Sequence, residues 1–324
     1  MEEMDVFRFI VNGKEVETKE DKPLLRFLRD DLKCKSVKDG CREGACGTCT
    51  ILIDGKAVRS CILSTKKAVG KNIVTVEGLS LQEKEAYVYA FGRAGSVQCG
   101  FCIPGMVMSA KALIDVNPNP TEEDIKKAIR SNICRCTGYK KIIEGIALAA
   151  KVLRGEEKIQ SDLETGEDFE VGQSAFRVDV REKVLGTGEY PDDVEMENMV
   201  YGGAVRTEYP RAKILKINTE AAESLPGVLA ILKAEDVPNN KVGHIQQDWD
   251  VMIAEGDTTR CIGDALCLIV AETPSILEAA KKLVKVEYEV LEPVRSIAEA
   301  KAENAPKLHP NGNLCQQRHV TRGD

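Results

Sequence analysis

Three thiols stand close together in the segment CREGACGTC, residues 41–49. Cys41, Cys46 and Cys49 follow the spacing C-x4-C-x2-C, and Cys61 follows further along the chain. This is the spacing of plant-type [2Fe–2S] sites, in which two irons take four thiolates. Glycines between the thiols supply backbone conformations that let a loop wrap a compact metal cluster. A structural zinc site, the alternative, favours paired C-x2-C motifs. The first set therefore predicts a [2Fe–2S] cluster.

A second set of thiols lies in VQCGFC and NICRC. Cys99 and Cys102 are spaced C-x2-C, whereas Cys134 and Cys136 are spaced C-x-C. This spacing alone also suits zinc. However, Cys102 and Cys136 each directly precede a predicted helix, whose N-terminal N–H groups and dipole favour added electron density. Together with the first set upstream, this placement favours a second [2Fe–2S] cluster.

Composition narrows the classes of partner and compartment. The 324 residues carry a net charge of −7, which argues against nucleic acid or an anionic membrane surface as a partner. No apolar run approaches the ~18 residues of a membrane helix. The acidic N-terminus lacks the charge and apolar run of a secretory signal, so a cytoplasmic location is expected. Twelve cysteines in a reducing compartment indicate metal or redox chemistry and not a disulfide framework.

The elements that position the first set form a small α+β domain over residues 1–78. Alternating strands surround Asn12-Gly13 and Asp54-Gly55, and each pair is a strong signal for a tight hairpin. Between the two hairpins, residues 23–32 have helical spacing and begin with proline. The cysteine loop connects this helix to the second hairpin.

The second set lies in a helical domain over residues 79–155. Ser80 and Glu83 form a capping box at the start of its first helix. Further helices are predicted from Pro104, from the Thr121 cap, and over 138–155. Four helices with short connections indicate a compact bundle.

The remainder of the chain divides into a linker and a third domain. Residues 156–172 are rich in acids and poor in large apolar residues, which indicates an exposed linker. Residues 173–324 combine alternating strands with one clear helix at 275–284, which predicts a mixed α/β domain. No G-x-G-x-x-G follows a strand, so no nucleotide site is predicted.

These motifs resemble those of a known family. The runs GCREGACGTCTILIDG, VQCGFCIPGMVMSA and NICRCTGY are similar to the iron–sulfur portion of the molybdenum hydroxylases, which include xanthine dehydrogenases and aldehyde oxidoreductases. The resemblance covers residues 1 to about 153 and implies a β-grasp ferredoxin-like domain followed by a four-helix bundle. It implies that the second set of cysteines holds the cluster nearer the molybdenum, and the first set the cluster nearer the onward acceptor. It also implies that Gln98 hydrogen-bonds the pterin of the molybdopterin cofactor.

The third segment resembles the α/β hammerhead domain that opens the molybdenum-binding portion of this family. In relatives the chain continues for several hundred residues, which carry the molybdopterin and the catalytic glutamate. The segment is therefore expected to be incomplete, and no catalytic residue is assigned.

The resemblance implies a molybdopterin-binding polypeptide or further C-terminal domains, an oligomeric complex, and an external acceptor such as a flavin subunit or a ferredoxin. Such enzymes insert a water-derived oxygen at a C–H bond. The segment from Val97 to Thr121 is most similar to selenium-dependent xanthine dehydrogenases, which implies purines such as xanthine as substrates, with aldehydes as the alternative.

Other hypotheses remain beside this one. The chain could be a truncated electron-transfer fragment without activity of its own, or a free-standing electron carrier, although a carrier has no use for a hammerhead-like segment. A purely structural zinc protein is disfavoured by the first cysteine spacing. Cys34 would be a fifth thiolate at a four-thiolate site, and Cys267 lies in the apolar run ALCLIVA. Both are therefore expected in the core.

Overall fold

The structure, a computed structural model, forms two compact units, Met1–Asp193 and Val194–Asp324, which we describe separately. The structure describes residues 6–159, 172, 176–244 and 246–323. Most of the predicted acidic linker lies outside these ranges. No helix among the described residues is long and apolar enough to cross a membrane.

A five-stranded sheet opens the first unit, with the strand order β2-β1-β5-β3-β4. Its strands are β1 (Phe7–Val11), β2 (Lys14–Thr18), β3 (Thr50–Ile53), β4 (Lys56–Arg59) and β5 (Asn72–Val74). Strands β1 and β5 are parallel, and the other neighbours are antiparallel. Both predicted hairpin turns are present. Asn12, Gly13, Asp54 and Gly55 all have positive φ, as the tight turns of such hairpins require.

One helical segment packs against this sheet. It begins as α1 (Leu24–Arg26) and continues as a π-helical turn over Phe27–Asp31. Leu28 of this segment, Phe9 of β1 and Ile51 of β3 are buried in one apolar core. The predicted ferredoxin-like arrangement is thus confirmed, and the loop between helix and β3 carries the first candidate thiols.

Four helices follow in the same unit. They are α2 (Leu81–Arg93), α3 (Ile103–Val116), α4 (Glu122–Ile129) and α5 (Lys140–Leu153). The capping box before α2 is present, because Ser80 Oγ accepts the Glu83 N–H at 3.3 Å and the Glu83 carboxylate accepts the Ser80 N–H at 2.8 Å. Phe91, Met106 and Ile142 are fully buried at the centre of these helices. The predicted helical domain is therefore confirmed.

The first unit also contains residues 176–193, which the sequence pattern places in the third segment. Helix α6 (Val180–Leu185) in this segment buries Val180 and Val184 in the core of the four helices. Gly186 ends this helix in the left-handed conformation, with φ of +75°. Residues 176–193 therefore belong to the first compact unit, which ends at Asp193.

The second unit combines small antiparallel sheets with helices. Its elements are β6 (Tyr201–Arg206), β7 (Ala212–Asn218), α7 (Glu220–Glu223), β8 (Val228–Leu232), β9 (Lys241–Val242), β10 (Trp249–Asp250), β11 (Ala265–Ala271), α8 (Pro274–Leu283), β12 (Lys285–Val290) and α9 (Ile297–Lys301). The sheets have the orders β6-β11-β8, β12-β7 and β10-β9. Leu277 and Ala280 of α8 pack with Ile269 of β11 in a buried cluster. The predicted mixed α/β organisation is confirmed.

Candidate metal centres

The loop before β3 directs backbone donors at one thiol. Cys41 Sγ accepts the N–H groups of Glu43 at 3.4 Å, Ala45 at 3.3 Å and Cys46 at 3.3 Å. These hydrogen bonds, that of Cys46 first, lower the pKa of the Cys41 thiol to about 6. A sulfur with three amide donors is stabilised as a thiolate, which is the form that binds metal. The loop is thus shaped to hold negative charge at Cys41.

Space around the neighbouring thiol is tight. A Cβ atom on Gly40 would lie 2.8 Å from Cys46 Sγ and 2.7 Å from Thr48 Oγ1. Cys46 Sγ and Thr48 Oγ1 are themselves 3.3 Å apart and share a hydrogen bond. Glycine at position 40 therefore lets the chain approach the thiols more closely than any side chain would permit.

Strand pairing brings the fourth thiol of the first set back to the third. Cys49 directly precedes β3 and Cys61 lies just after β4, and the pairing of Thr50 with Arg59 joins those two strand ends. Burial first, and then the neighbouring Cys49 and Cys41, raise the pKa of Cys61 to about 11. A thiol in this setting loses its proton readily only when a metal binds the sulfur in its place. The structure thus brings Cys41, Cys46, Cys49 and Cys61 together.

The second set forms two sulfur pairs between helices. Cys136 and Cys99 have their Sγ atoms 3.6 Å apart. Burial raises the pKa of Cys102, and the next largest cause is the neighbouring Cys134. Cys102 is the N-cap residue of α3, as predicted. The helix after Cys136 begins later than predicted, at Lys140, so Cys136 does not directly precede it.

Hydroxyl groups support the second set. Thr137 Oγ1 lies 3.2 Å from Cys134 Sγ. Burial opposes ionisation of Cys134, but the hydrogen bond with Thr137 and the nearby backbone N–H groups outweigh it, so the pKa of this thiol is lowered. The Tyr139 hydroxyl accepts the Cys134 N–H at 2.9 Å and donates to the Asn132 carbonyl at 3.1 Å. These contacts fix the loop that carries Cys134.

The two sets are joined by hydrogen bonds through buried Asn132. Its side-chain amide donates to the Gly47 carbonyl at 2.9 Å and accepts from Ser109 at 2.8 Å. The next residue, Ile133, donates its N–H to the Cys46 carbonyl at 2.8 Å. Asn132 stands two residues before Cys134, but no motif in the sequence marks it as part of the site. Its side chain therefore links the loop of the first thiol set to helix α3 and to the loop of the second set.

The remaining cysteines stand apart from both sets. Cys34 is 6% exposed in the core of the first sheet and Cys267 is fully buried in β11, as expected. Cys261 and Cys315 are exposed. Gln98 is exposed beside Cys99.

The donor chemistry can be compared with what a metal centre needs. Over the described residues, no three His, Cys, Asp or Glu side chains are arranged to hold a single metal ion. In a [2Fe–2S] cluster, by contrast, four thiolates serve two irons. The paired sulfurs of the second set, and the tight glycine cradle of the first, fit such clusters.

Comparison with protein families gives three matches in series along the chain. Residues 9–73 match the family described as 2Fe-2S iron-sulfur cluster binding domain. Residues 75–147 match the [2Fe-2S] binding domain family. Residues 185–292 match the family described as aldehyde oxidase and xanthine dehydrogenase, a/b hammerhead domain. The matches follow the predicted order of two cluster domains and a hammerhead domain.

Individual relatives extend this result. An aldehyde oxidoreductase of Megalodesulfovibrio gigas is 33% identical over 316 residues, which is 92% of this chain and 35% of that protein. A nicotinate dehydrogenase small FeS subunit of Eubacterium barkeri is 43% identical over 144 residues, covering 44% of this chain and 92% of that subunit.

Solved structures agree. The aldehyde oxidoreductase from Desulfovibrio desulfuricans superposes with a TM-score of 0.86 at 32% identity, over 96% of this chain and 36% of that one. The chain therefore spans about a third of the length of the aldehyde oxidoreductases that it matches. Two [2Fe–2S]-binding domains and a hammerhead domain, in that order, place the chain in the aldehyde oxidoreductase and xanthine dehydrogenase family of molybdenum hydroxylases.

Proposed function

We propose that the chain carries electrons from a molybdopterin site through two clusters, each held by one set of thiols. The ligands of the first cluster would be Cys41, Cys46, Cys49 and Cys61, and those of the second Cys99, Cys102, Cys134 and Cys136. The domains would be 1–78 and 79–155 for the two clusters and, after the linker 156–172, residues 173–324 for the hammerhead. A bound [2Fe–2S] cluster supplies one-electron redox chemistry.

The observation that carries this proposal is the short connection between the two sets. Ile133 donates its N–H to the carbonyl of Cys46 at 2.8 Å, and Ile133 is bonded directly to Cys134. One hydrogen bond therefore links a proposed ligand of the first cluster to a proposed ligand of the second. Asn132 and Gly47 hold that link in place through a further hydrogen bond of 2.9 Å.

The chain's own groups would favour reduction of both clusters. Three amide N–H groups point at Cys41 Sγ, and a hydroxyl lies beside Cys46 and beside Cys134. Hydrogen bonds to ligand sulfur stabilise the added negative charge and so raise the reduction potential. These contacts give each site the chemistry of an electron carrier.

The exposure of Gln98 and its neighbours supports a molybdopterin site next to the second set of cysteines. The Gln98 side chain is exposed, and the adjacent Cys99 and nearby Cys136 are exposed as well. We expect Gln98 to hydrogen-bond the pterin, which would be bound by a partner polypeptide or by chain beyond these residues. Small FeS subunits among the relatives support a multi-subunit complex.

The substrate class and the electron acceptor are proposed from the sequence motifs and from the relatives. Purines such as xanthine are proposed from the motif around the second cysteine set. Aldehydes are the second candidate, because the relative that aligns over 92% of the chain is an aldehyde oxidoreductase. Electrons would leave to a flavin subunit or a ferredoxin. A cytoplasmic location is proposed, because the thiols that such clusters need stay reduced there.

Anaerobic purification from the native host tests this proposal. Iron, molybdenum, zinc and native mass would be measured together, followed by assays with xanthine and with an aldehyde. We expect about four irons per chain, from two [2Fe–2S] clusters, with molybdenum in a particle larger than 35.5 kDa. Zinc in place of iron, or iron without molybdenum at the mass of the chain alone, would overturn it.

A further inference from the structure

Residues 176–193 bind both thiol-bearing domains within the first unit. Arg181 forms an ion pair of 2.6 Å with Glu85 of α2. At the other end, Asp193 accepts a hydrogen bond of 2.6 Å from Arg29, next to the first sheet. The Phe176 ring packs so closely on Gly92 of α2 that a Cβ atom on Gly92 would lie 1.9 Å from the ring. The segment is thus anchored on both domains.

This segment surrounds a buried cation. Lys38 is 1% exposed, and its ammonium group lies 3.3 Å from the Gly186 carbonyl and 3.5 Å from that of Gly188. The Asp193 carboxylate is 3.6 Å away. A buried ammonium is tolerated only when it is paired and hydrogen-bonded. The segment therefore provides the partners that keep a positive charge in the interior.

Tyr190 connects this charge to the second thiol set. Its hydroxyl donates to the carbonyl of Cys99 at 2.8 Å. The Lys38 ammonium lies 4.8 Å from the centre of its ring, and the Lys183 ammonium 4.1 Å. Phe101 packs edge-on against the same ring at 5.1 Å. Two cations and one hydroxyl donor are therefore grouped at the loop that begins with Cys99.

The same loop is shaped to receive this group. Gly100 has φ of +83°, and a Cβ there would lie 2.6 Å from Cδ of Lys183. The Lys183 stem consequently lies flat against the backbone next to Cys99. Its ammonium group lies over the ring of Tyr190, whose hydroxyl donates to the Cys99 carbonyl.

We propose that Tyr190 is a positioning residue for the second cluster, and that together with Lys183 it raises the reduction potential of that cluster. This inference rests on the proposed function. Reduction adds one negative charge to the cluster, and nearby cations stabilise it electrostatically. The hydroxyl of Tyr190 withdraws charge from the Cys99 carbonyl and fixes the loop. Because this hydroxyl donates to the loop of the second sulfur set, its effect is expected on the second cluster and not on the first.

A redox titration of the iron-loaded protein, with any polypeptides that accompany it, tests this inference. Both clusters would be followed by electron paramagnetic resonance in the wild type, in Tyr190→Phe and in Lys183→Gln. At a fixed potential we expect Lys183→Gln to lower the ratio of reduced to oxidised second cluster about tenfold, which is ~59 mV for a one-electron couple. Tyr190→Phe should shift it in the same direction. The first cluster should keep its potential.

Matched variants separate charge from structure. Lys183→Arg keeps the charge and should keep the wild-type potential, and Tyr201→Phe removes a hydroxyl in the second unit and should change neither cluster. Intact clusters with unchanged potentials in both Tyr190→Phe and Lys183→Gln would overturn the inference, as would an equal shift in Lys183→Arg. A wild type without two [2Fe–2S] signals would instead overturn the proposed function.

Discussion

At the scale of single residues, the sulfurs of one set differ in how readily they ionise. Backbone N–H groups lower the pKa of Cys41 to about 6, whereas burial first, and then the neighbouring thiols, raise that of Cys61 to about 11. At neutral pH, Cys41 is therefore mostly ionised, whereas Cys61 would lose its proton only when a metal binds its sulfur. If this set holds the proposed cluster, metal uptake is expected to release protons.

Single cysteine substitutions should separate the two clusters. Cys46→Ser should abolish one reduced-state paramagnetic signal and leave the other, and Cys134→Ser should do the reverse, because each replaces a thiolate of one set only. The measurement is electron paramagnetic resonance of the dithionite-reduced protein, with iron content determined in parallel. Cys34→Ser is the control, since Cys34 is buried in the core of the sheet. Unchanged spectra in both ligand variants, or loss of a signal in Cys34→Ser, would refute the ligand assignment.

At the scale of elements, the contact between the cysteine loop and the helical domain depends on Gly47. This residue has φ of +72°, and a Cβ on it would lie 2.2 Å from the Ser131 carbonyl oxygen. The Gly47 carbonyl oxygen also packs against Gly105 of α3, because a Cβ atom on Gly105 would lie 2.6 Å from that oxygen. Backbone atoms on both sides thus leave no room for a side chain.

Gly47→Ala should therefore destabilise the first unit and disturb both clusters. Alanine in the left-handed conformation costs about 1–2 kcal/mol by itself, and the backbone clash adds to that cost. Gly55→Ala is matched to it, because Gly55 has φ of +79° and open space where a Cβ would lie. Denaturation midpoints and the visible absorption of the clusters would be compared. Equal losses in the two variants would contradict the close contact described for Gly47.

A second element-scale prediction concerns the attachment of residues 176–193. Burial opposes ionisation of Asp193, but Arg29 and Lys38 outweigh it and lower its pKa, so the carboxylate is charged at neutral pH. Its contribution to stability is present above the unfolded-state pKa and is lost only as pH falls through the lowered folded value. At pH 7, Asp193→Asn should cost about 3 kcal/mol, since it leaves the buried Lys38 and the partly buried Arg29 without a counter-charge.

Chemical denaturation at pH 7 would measure this cost. Glu17→Gln provides the control, because it removes an ion pair with Arg8 whose side chains are both more than 60% exposed. Such surface pairs contribute about 0–1 kcal/mol. An Asp193→Asn variant as stable as Glu17→Gln would show that the buried ion pairs do not hold the segment.

Local signals explain why much of the first unit could be predicted. The turns at Asn12-Gly13 and Asp54-Gly55, and the Ser80 capping box, depend on residues adjacent in sequence. The placement of residues 176–193 depends on pairs such as Arg181 with Glu85, which are 96 residues apart, and no local pattern encodes such a contact. Hydrogen bonding of Asn132 to Gly47 spans 85 residues and was missed for the same reason.

At the scale of the whole molecule, both thiol sets lie in the first unit, and the second unit is a separate hammerhead-type domain. Metal binding and the buried hydrogen bonds around Asn132 therefore concern the first 193 residues. The chain covers about a third of the aldehyde oxidoreductases to which it is similar. Its part in the family's chemistry is the electron-transfer portion.

Redox-titrated electron paramagnetic resonance of the anaerobically purified protein tests this central claim most directly. We expect about four irons per chain and two distinct signals, each integrating to about one spin on full reduction, because each [2Fe–2S] cluster takes up one electron. A colourless protein that contains zinc, or a single signal with about two irons, would contradict it.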